Sequence, residues 1–352
     1  MSFEDGWAAI HLEMPSRVPR TEYSAEMHWD LIRAVTGQQV GVDSPEPARI
    51  AAGAALMRAW NYDFVWNTLI SHDEFGDLYT DMGHAEYAAG GVDRRDTKFC
   101  PFKDPEEALA FDPWESFGPR DRQTLVDRFE ADYQAKCRLV PTAVNMTGIY
   151  ITLVSGLIDL LGWDMLLWAL GTDPRRFGAM ANRYASWIQQ YFDALAETDV
   201  PVVMMHDDIV WSAGPFCRPA WYREYVFPNY KKYVAPLLDS GKRVLFCSDG
   251  NFTQFVDDVA AVGVHGFVFE PLTDLAAVIG KYGQTHVVVG NVDTRALLWG
   301  NKDDVRTEVE RCMALGKPCP GYFLAVGNHI PPDTPVENAL YYNQVYEELS
   351  QR

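Results

Sequence analysis

The feature of this chain that most constrains its fold is a regular alternation of strand and helix patterns between residues 200 and 349. Short apolar runs, typical of buried strands, are each followed by a longer segment with apolar residues at helical spacing. The predicted strands are 200–206, 244–247, 266–270, 286–290 and 321–326. This order predicts a parallel sheet covered by helices, and the number of units favours a closed barrel over an open sheet.

The rest of the chain fits a barrel with additions, a size that 352 residues allow. Residues 1–60 are predicted as a helical N-terminal extension, and residues 61–352 as one α/β domain, a TIM (β/α)8 barrel. Residues 76–120 are rich in Gly, Asp, Pro and aromatic residues. They predict a long loop, with a hairpin around 89–91, over one mouth of the barrel.

Charge and composition exclude several classes of protein. The formal net charge of −19 disfavours binding to nucleic acid, which needs a basic surface. The first residues lack the pattern of a signal peptide, so a cytoplasmic location is expected. The apolar run 149–170 is interrupted by Asp159 and Asp164, which favours buried core over a membrane span. Six cysteines without a C-x-x-C pair are expected to be reduced thiols.

Polar side chains follow each predicted strand of the second half. In chain order they are His206, Asp207 and Asp208, then Cys247 and Asp249, then Glu270, then Asn291, and finally Asn328 and His329. Because the carboxyl ends of parallel strands share one rim of a barrel, these side chains are expected on the same rim. The set contains a thiol, imidazoles and carboxylates, which are the ligand types that zinc favours.

The sequence therefore predicts a metal site at this rim, with Cys247, Asp249 and His329 as ligands and Glu270 in reserve. Each of these residues also has a plain structural explanation. A cysteine on a strand is often a core residue, Asp249 begins an ordinary turn and helix-cap pattern, and His329 fits a simple turn. A buried Glu270 without a partner would be costly, so a cation or a donor is expected beside it.

Motifs around these strand ends resemble those of the uroporphyrinogen decarboxylase superfamily, which are TIM barrels. The matching segments lie within residues 140–350 and are 207–208, 214–215, 221–228, 247–251, 266–271, 290–293 and 327–338. The decarboxylases of this superfamily need no metal and bind an octa-anionic porphyrinogen through an R-Q-A-G-R-Y motif near the first strand. Here the segment 67–75 is acidic and lacks that motif. The resemblance thus leaves a metal-free decarboxylase or lyase as an alternative function.

The other branch that the resemblance implies is the zinc-dependent, corrinoid-linked methyltransferases. Those acting on coenzyme M carry H-x-C where this chain has Cys247-Ser248-Asp249, and a further Cys where it has Asn328-His329. Carboxylate or imidazole in place of thiolate leaves zinc a harder Lewis acid, which suits activation of an ether oxygen. The resemblance therefore favours O-demethylation over a coenzyme M reaction, which remains a second alternative.

The resemblance therefore implies a zinc-dependent methyltransferase that moves a methyl group from a small methoxylated, aromatic compound to a corrinoid. The corrinoid is expected on a partner protein, because the chain has no D-x-H-x-x-G segment. Asp207, Asp208 and His206 are predicted to position the substrate or donate a proton. The predicted substrate-binding residues are Trp66, Trp211, Phe216, Asn291 and Asn328. Aromatic residues near strand ends also serve simple barrel packing, and a non-catalytic binding protein is a further possibility.

Overall fold

The computed structural model describes residues 2–80 and 99–352, and it confirms an α/β fold with parallel strands. The strands are β1 (Phe64–Val65), β2 (Val144–Asn145), β3 (Thr147–Ile149), β4 (Val202–His206), β5 (Arg243–Ser248), β6 (Gly266–Phe269), β7 (Val287–Val289) and β8 (Tyr322–Phe323). The predicted hairpin around residues 89–91 lies outside the described residues.

Helices separate these strands along the chain. They are α1 (Ser2–Ile10), α2 (Trp29–Thr36), α3 (Glu46–Ala59), α4 (Pro105–Ala110), α5 (Pro113–Phe117), α6 (Arg122–Leu139), α7 (Val154–Thr172), α8 (Pro174–Ala196), α9 (Pro219–Tyr225), α10 (Phe227–Asp239), α11 (Val256–Ala261), α12 (Leu275–Tyr282), α13 (Thr294–Trp299), α14 (Lys302–Gly316) and α15 (Val336–Leu349). Short 3-10 turns cover Ala25–Met27, His72–Phe75 and Thr253–Phe255.

The chain divides into two compact units. The first contains Met1–Trp66, Tyr133–Met146 and His265–Arg352. Within it β1 pairs with β2, and β6, β7 and β8 pair in that order, all parallel. Every residue of these strands is buried, as expected of a parallel sheet whose two faces are both covered.

The second unit contains Asn67–Asp132 and Thr147–Val264. Here β3, β4 and β5 pair in that order, again parallel, and His206 lies opposite Cys247 at the carboxyl end of β4 and β5. The apolar run predicted as buried core forms α7, which is bent at Gly162, where φ is 68°. A positive φ suits glycine, since it has no Cβ to clash with the backbone.

Two parts of the secondary structure differ from the prediction. The segment predicted as a loop contains α4 and α5, which begin at the Asp-Pro pairs 104–105 and 112–113. In each pair the Asp side chain accepts a backbone N–H of the first turn, and the Pro stands at the first helical position, two standard signals for a helix start. Residues 141–146 have the sequence pattern of a single strand, but in the structure β2 covers only Val144–Asn145, and β3 (Thr147–Ile149) follows as a separate strand.

One helix in the described part of the chain, α7, is long and apolar enough to cross a membrane. Of its most apolar stretch, 72% is buried inside the protein, which is typical of a core helix in a globular protein. The helix is therefore no indication of a membrane protein.

Candidate functional site

The candidate site lies at the carboxyl ends of β3, β4 and β5, within the second unit. Tyr150 directly follows β3, and its ring stacks on the imidazole of His206 with centroids 4.0 Å apart. The His206 Nδ1 atom lies 3.3 Å from the Tyr150 carbonyl oxygen, and Nε2 lies 3.5 Å from Asp208 Oδ1. The imidazole is thus held between an aromatic ring and a carboxylate.

The turns after β4 and β5 are joined at the same place. The Asp249 N–H donates to Asp208 Oδ1 at 2.8 Å, and the Asp208 N–H donates to Ser155 Oγ at 2.7 Å. Together with the pairing of His206 and Cys247, these bonds gather four of the predicted site residues at one rim. The parallel order of the strands explains this, since their carboxyl ends point the same way.

Asp207 has a different environment from its neighbour Asp208. It is fully buried, and its carboxylate accepts the backbone N–H groups of Val154 and Ser155 and the hydroxyl of Tyr230. Burial raises the pKa of Asp207, and these three donors act against that rise. The carboxylate therefore ties the start of α7 to the end of β4. This geometry gives Asp207 a positioning role, and its predicted contact with substrate stays a prediction.

Asp159, on the second turn of α7, is a site residue that the sequence prediction missed. It is 2% exposed, and its Oδ2 atom is buried without a hydrogen-bond partner among the described residues. The His72 Nδ1 atom lies 3.8 Å from that oxygen. Burial raises the pKa of Asp159 to about 8, and the charge of Asp208 adds to the rise. The only signal in the sequence is an acidic residue inside an otherwise apolar run.

The electrostatic field at this rim is negative. Burial raises the pKa of the Tyr150 hydroxyl well above its ordinary range, and nearby Asp208, Asp159 and Asp249 raise it further, followed by Cys247. Each of these groups makes ionisation of the tyrosine less favourable, because a phenolate would add one more negative charge. The Tyr150 hydroxyl is therefore neutral and surrounded by carboxyl groups.

Two predicted substrate-binding residues, Trp211 and Phe216, belong to an aromatic cluster in this unit. Trp163 completes the cluster, with its ring centroid 5.2 Å from Trp211 and 5.3 Å from Phe216. Trp211 is 42% exposed, so part of its face is open to solvent. The predicted Trp66 lies in the other unit, where it stacks on Tyr23 and meets the edge of Phe64.

The remaining predicted residues lie at strand ends of the first unit. Asn291 is 1% exposed, and its amide donates to the carbonyl groups of Glu270 and Thr273 while its oxygen accepts from Arg311. These bonds give Asn291 a structural role in shaping its loop. The His329 Nδ1 atom lies 2.8 Å from Ser24 Oγ. Asn328 is half-buried beside it.

The predicted zinc ligands are divided between the units: Cys247 and Asp249 lie in the second, and Glu270 and His329 in the first. Across residues 2–80 and 99–352, no group of three or more His, Cys, Asp or Glu side chains is placed to hold a metal ion. Catalytic zinc sites take three protein ligands and structural ones four. The donor set of the described residues does not fit a zinc site, so zinc binding stays a prediction and no chemical step is derived through a metal.

Comparison with known proteins finds a family model and curated relatives that carry the same name. The family model described as uroporphyrinogen decarboxylase (URO-D) matches residues 134–348. A uroporphyrinogen decarboxylase from Syntrophotalea carbinolica is 26% identical over 178 residues, covering 51% of this chain and 50% of the relative. One from Carboxydothermus hydrogenoformans is 25% identical over 213 residues, covering 59% of this chain and 58% of the relative. The chain thus spans about half the length of these curated relatives.

A solved structure is similar over the whole chain. It is a methyltransferase from Methanosarcina mazei, 18% identical, with a TM-score of 0.67 and coverage of 99% of this chain and 98% of that one. At this identity the likeness shows the fold, and it supports the predicted TIM barrel. Since the family model matches more than half of the residues, the chain belongs to the uroporphyrinogen decarboxylase (URO-D) family, whose fold is a TIM barrel.

Proposed function

We propose that this chain is a methyltransferase that transfers a methyl group from a small, uncharged methoxylated aromatic compound to a corrinoid carried by a separate protein. The observation that carries the proposal is the acidic rim, where the Asp249 N–H donates to Asp208 and both side chains act on the hydroxyl of Tyr150. A rim of this charge selects against anionic substrates and accepts neutral ones.

The negative charge of the rim weighs against the decarboxylation named for the curated relatives. Two like charges 4 Å apart repel by about 4 kcal/mol near a protein surface, and uroporphyrinogen carries many carboxylates. Arginines on the protein would have to offset that repulsion. The chain lacks the R-Q-A-G-R-Y motif, and its net charge of −19 adds to the repulsion. A neutral ether avoids this cost.

The aromatic cluster of Trp163, Trp211 and Phe216 supports an aromatic guest. Exposed aromatic faces pack against flat ligands, and the partial exposure of Trp211 leaves such a face open. Methyl transfer is also the activity for which the Methanosarcina structure is named, although that likeness alone concerns the fold.

The chain's own residues would bind the ether, keep its oxygen near an acid and position the methyl group toward the mouth. A corrinoid in its Co(I) form, bound to the partner protein, would supply the nucleophile for the methyl group. If zinc were bound, it would supply a Lewis acid for the ether oxygen. A protonated carboxyl group can assist the same bond cleavage by giving a proton to the ether oxygen.

The direct test is an anaerobic assay with a panel of methoxybenzenes and free cob(I)alamin as the acceptor, followed by the change in corrinoid absorbance. We expect demethylation to the free phenol, above the rate without enzyme. Uroporphyrinogen decarboxylation is measured on the same preparation. Decarboxylation without any methyl transfer from the panel would overturn the proposal and favour the activity of the curated relatives.

A further inference from the structure

We propose that Asp159 is the proton donor of this site and that His72 returns the proton from solvent. The kinetic part of this inference rests on the proposed function, whereas the protonation state of Asp159 does not. Neither residue was among those that the sequence singled out for chemistry.

The hydrogen-bonding state of Asp159 is the first argument. A buried carboxylate normally accepts several hydrogen bonds, as Asp207 does from two backbone N–H groups and a tyrosine. The Oδ2 atom of Asp159 has no such partner in the described part of the chain, although the residue is only 2% exposed. An ionised, unpaired carboxylate at this place would be costly. A neutral carboxyl group with its proton on Oδ2 has an O–H to donate, and no described residue forms a hydrogen bond with that oxygen.

The groups around Asp159 agree with a neutral carboxyl. Those that face it are His72 from the 3-10 turn, Asp208 after β4, Tyr150 after β3 and Tyr184 on α8. Burial and the negative charge of Asp208 hold the pKa of Asp159 near 8, so most molecules keep the proton at pH 7. The pKa of both tyrosines is raised well above its ordinary range, which makes them poor proton donors.

His72 connects this carboxyl group to solvent. Its side chain is 29% exposed, while that of Asp159 is 3% exposed. Nδ1 lies 3.8 Å from Asp159, and Nε2 lies 3.8 Å from Asp73, whose side chain is 83% exposed. Tyr79 stacks on the imidazole at 4.5 Å and fixes its plane. Imidazole is the side chain best suited to pass protons near neutral pH.

In the proposed transfer the bond between the methyl carbon and the ether oxygen breaks, its electron pair stays on the oxygen, and the Co(I) corrinoid of the partner would take the methyl group. The Asp159 carboxyl gives its proton to the same oxygen, which leaves as a hydroxyl group. Asp159 is then a carboxylate, and it regains a proton through His72. A proton donor of this kind contributes about 100-fold or more to the rate.

The test compares Asp159→Asn with Asp164→Asn, a matched change at an exposed position of the same helix. The donors are a series of methoxybenzenes whose phenols range from weakly to strongly acidic. We expect Asp159→Asn to lose about 100-fold in kcat with donors of weakly acidic phenols, and little with donors of strongly acidic ones, whose phenolates leave unprotonated. Asp164→Asn should match the wild type. An equal loss with every donor would overturn the role, since it indicates a structural defect.

Two further measurements keep the inference testable. His72→Gln should slow turnover, and added imidazole should restore it; a variant as fast as the wild type would refute the relay. Independently of turnover, infrared spectra at pH 7 of protein with labelled aspartate should show a protonated carboxyl that is absent from Asp159→Asn. If no donor is demethylated, the proposed function fails, and the infrared result alone decides: an ionised Asp159 overturns the inference, and a protonated one supports it.

Discussion

Two buried acidic residues, one in each unit, have contrasting surroundings. Glu22 accepts hydrogen bonds from the Arg20 guanidinium at 2.8 Å, the Tyr342 hydroxyl at 2.6 Å and the Val326 N–H at 3.0 Å. Asp159 is as deeply buried, yet its Oδ2 atom has no hydrogen-bond partner among the described residues. Both carboxyl groups are buried, but their hydrogen-bond partners differ.

The difference separates a structural role from a chemical one. Burial raises the pKa of Glu22, but Arg20, Tyr342 and Val326 all act to lower it, so its surroundings favour a paired carboxylate. At Asp159 the charge of Asp208 adds to the effect of burial, so its surroundings favour the neutral acid. Raised pKa values mark candidate sites, and the hydrogen-bond partners tell the two cases apart.

The largest effect on stability is expected when the ion pair between Arg20 and Glu22 is broken. Glu22→Gln leaves Arg20 charged, fully buried and without its carboxylate, which should lower the free energy of unfolding by about 3 to 5 kcal/mol. Denaturant titration measures the change. The control is Asp30→Asn, which removes an exposed Arg33–Asp30 pair and should cost less than about 1 kcal/mol. Equal effects at the two positions would mean that burial does not matter to the pair.

A change of opposite sign in the free energy of unfolding is expected when Asp159 is replaced. In the unfolded chain this carboxyl ionises above its ordinary pKa near 3.8, whereas in the folded protein it keeps its proton up to about pH 8. Stability is therefore lost as pH rises through that window. Asp159→Asn removes the penalty and should raise the free energy of unfolding at pH 7 by on the order of 2 kcal/mol.

The pH dependence supplies the check on this prediction. The stability gap between Asp159→Asn and the wild type should be small near pH 4, widen toward pH 8 and then stay constant, as measured by denaturant titration at each pH. If the difference in stability between the variant and the wild type did not change with pH, Asp159 would have an ordinary pKa. The proposed contrast with Glu22 would then be wrong.

The smallest effect on turnover is expected when a chelator is added to remove zinc. Because the described residues gather no group of three ligands, we expect less than one zinc per chain after dialysis and turnover unchanged by a chelator. Elemental analysis of the wild type and of a Cys247→Ala/His329→Ala variant measures this. One tightly held zinc per chain, lost in the variant together with activity, would restore the predicted metal site and place a Lewis acid in the reaction.

The sequence was sufficient to predict which residues meet at the rim, but it did not predict that Asp159 belongs to the site. His206, Asp208, Cys247 and Asp249 follow two apolar runs, and parallel pairing alone brings them together. Asp159 comes from a helix whose contacts depend on how it packs, and His72 from a short 3-10 turn. No periodicity in the sequence reports which helix side chain faces a strand end, so both were missed.

The roles of single polar residues were also hard to predict. Asp207 and Asn291 are of residue types that often act in catalysis. In the structure, however, both side chains form hydrogen bonds with groups of the protein itself. Such partners come from distant segments, Val154 for Asp207 and Arg311 for Asn291. A polar residue after a strand therefore predicts the location of a site better than it predicts a function within that site.

The protonation state of Asp159, which we propose to be a neutral acid at physiological pH, can be measured directly. Carbon NMR of protein labelled at the aspartate carboxyl carbons, titrated from pH 4 to pH 9, resolves each carboxyl group, and Asp159→Asn identifies the resonance. We expect the Asp159 carboxyl group to stay protonated at pH 7, with its resonance titrating at about pH 8. Titration at the ordinary value of an aspartate would contradict it and remove the proposed proton donor from the site.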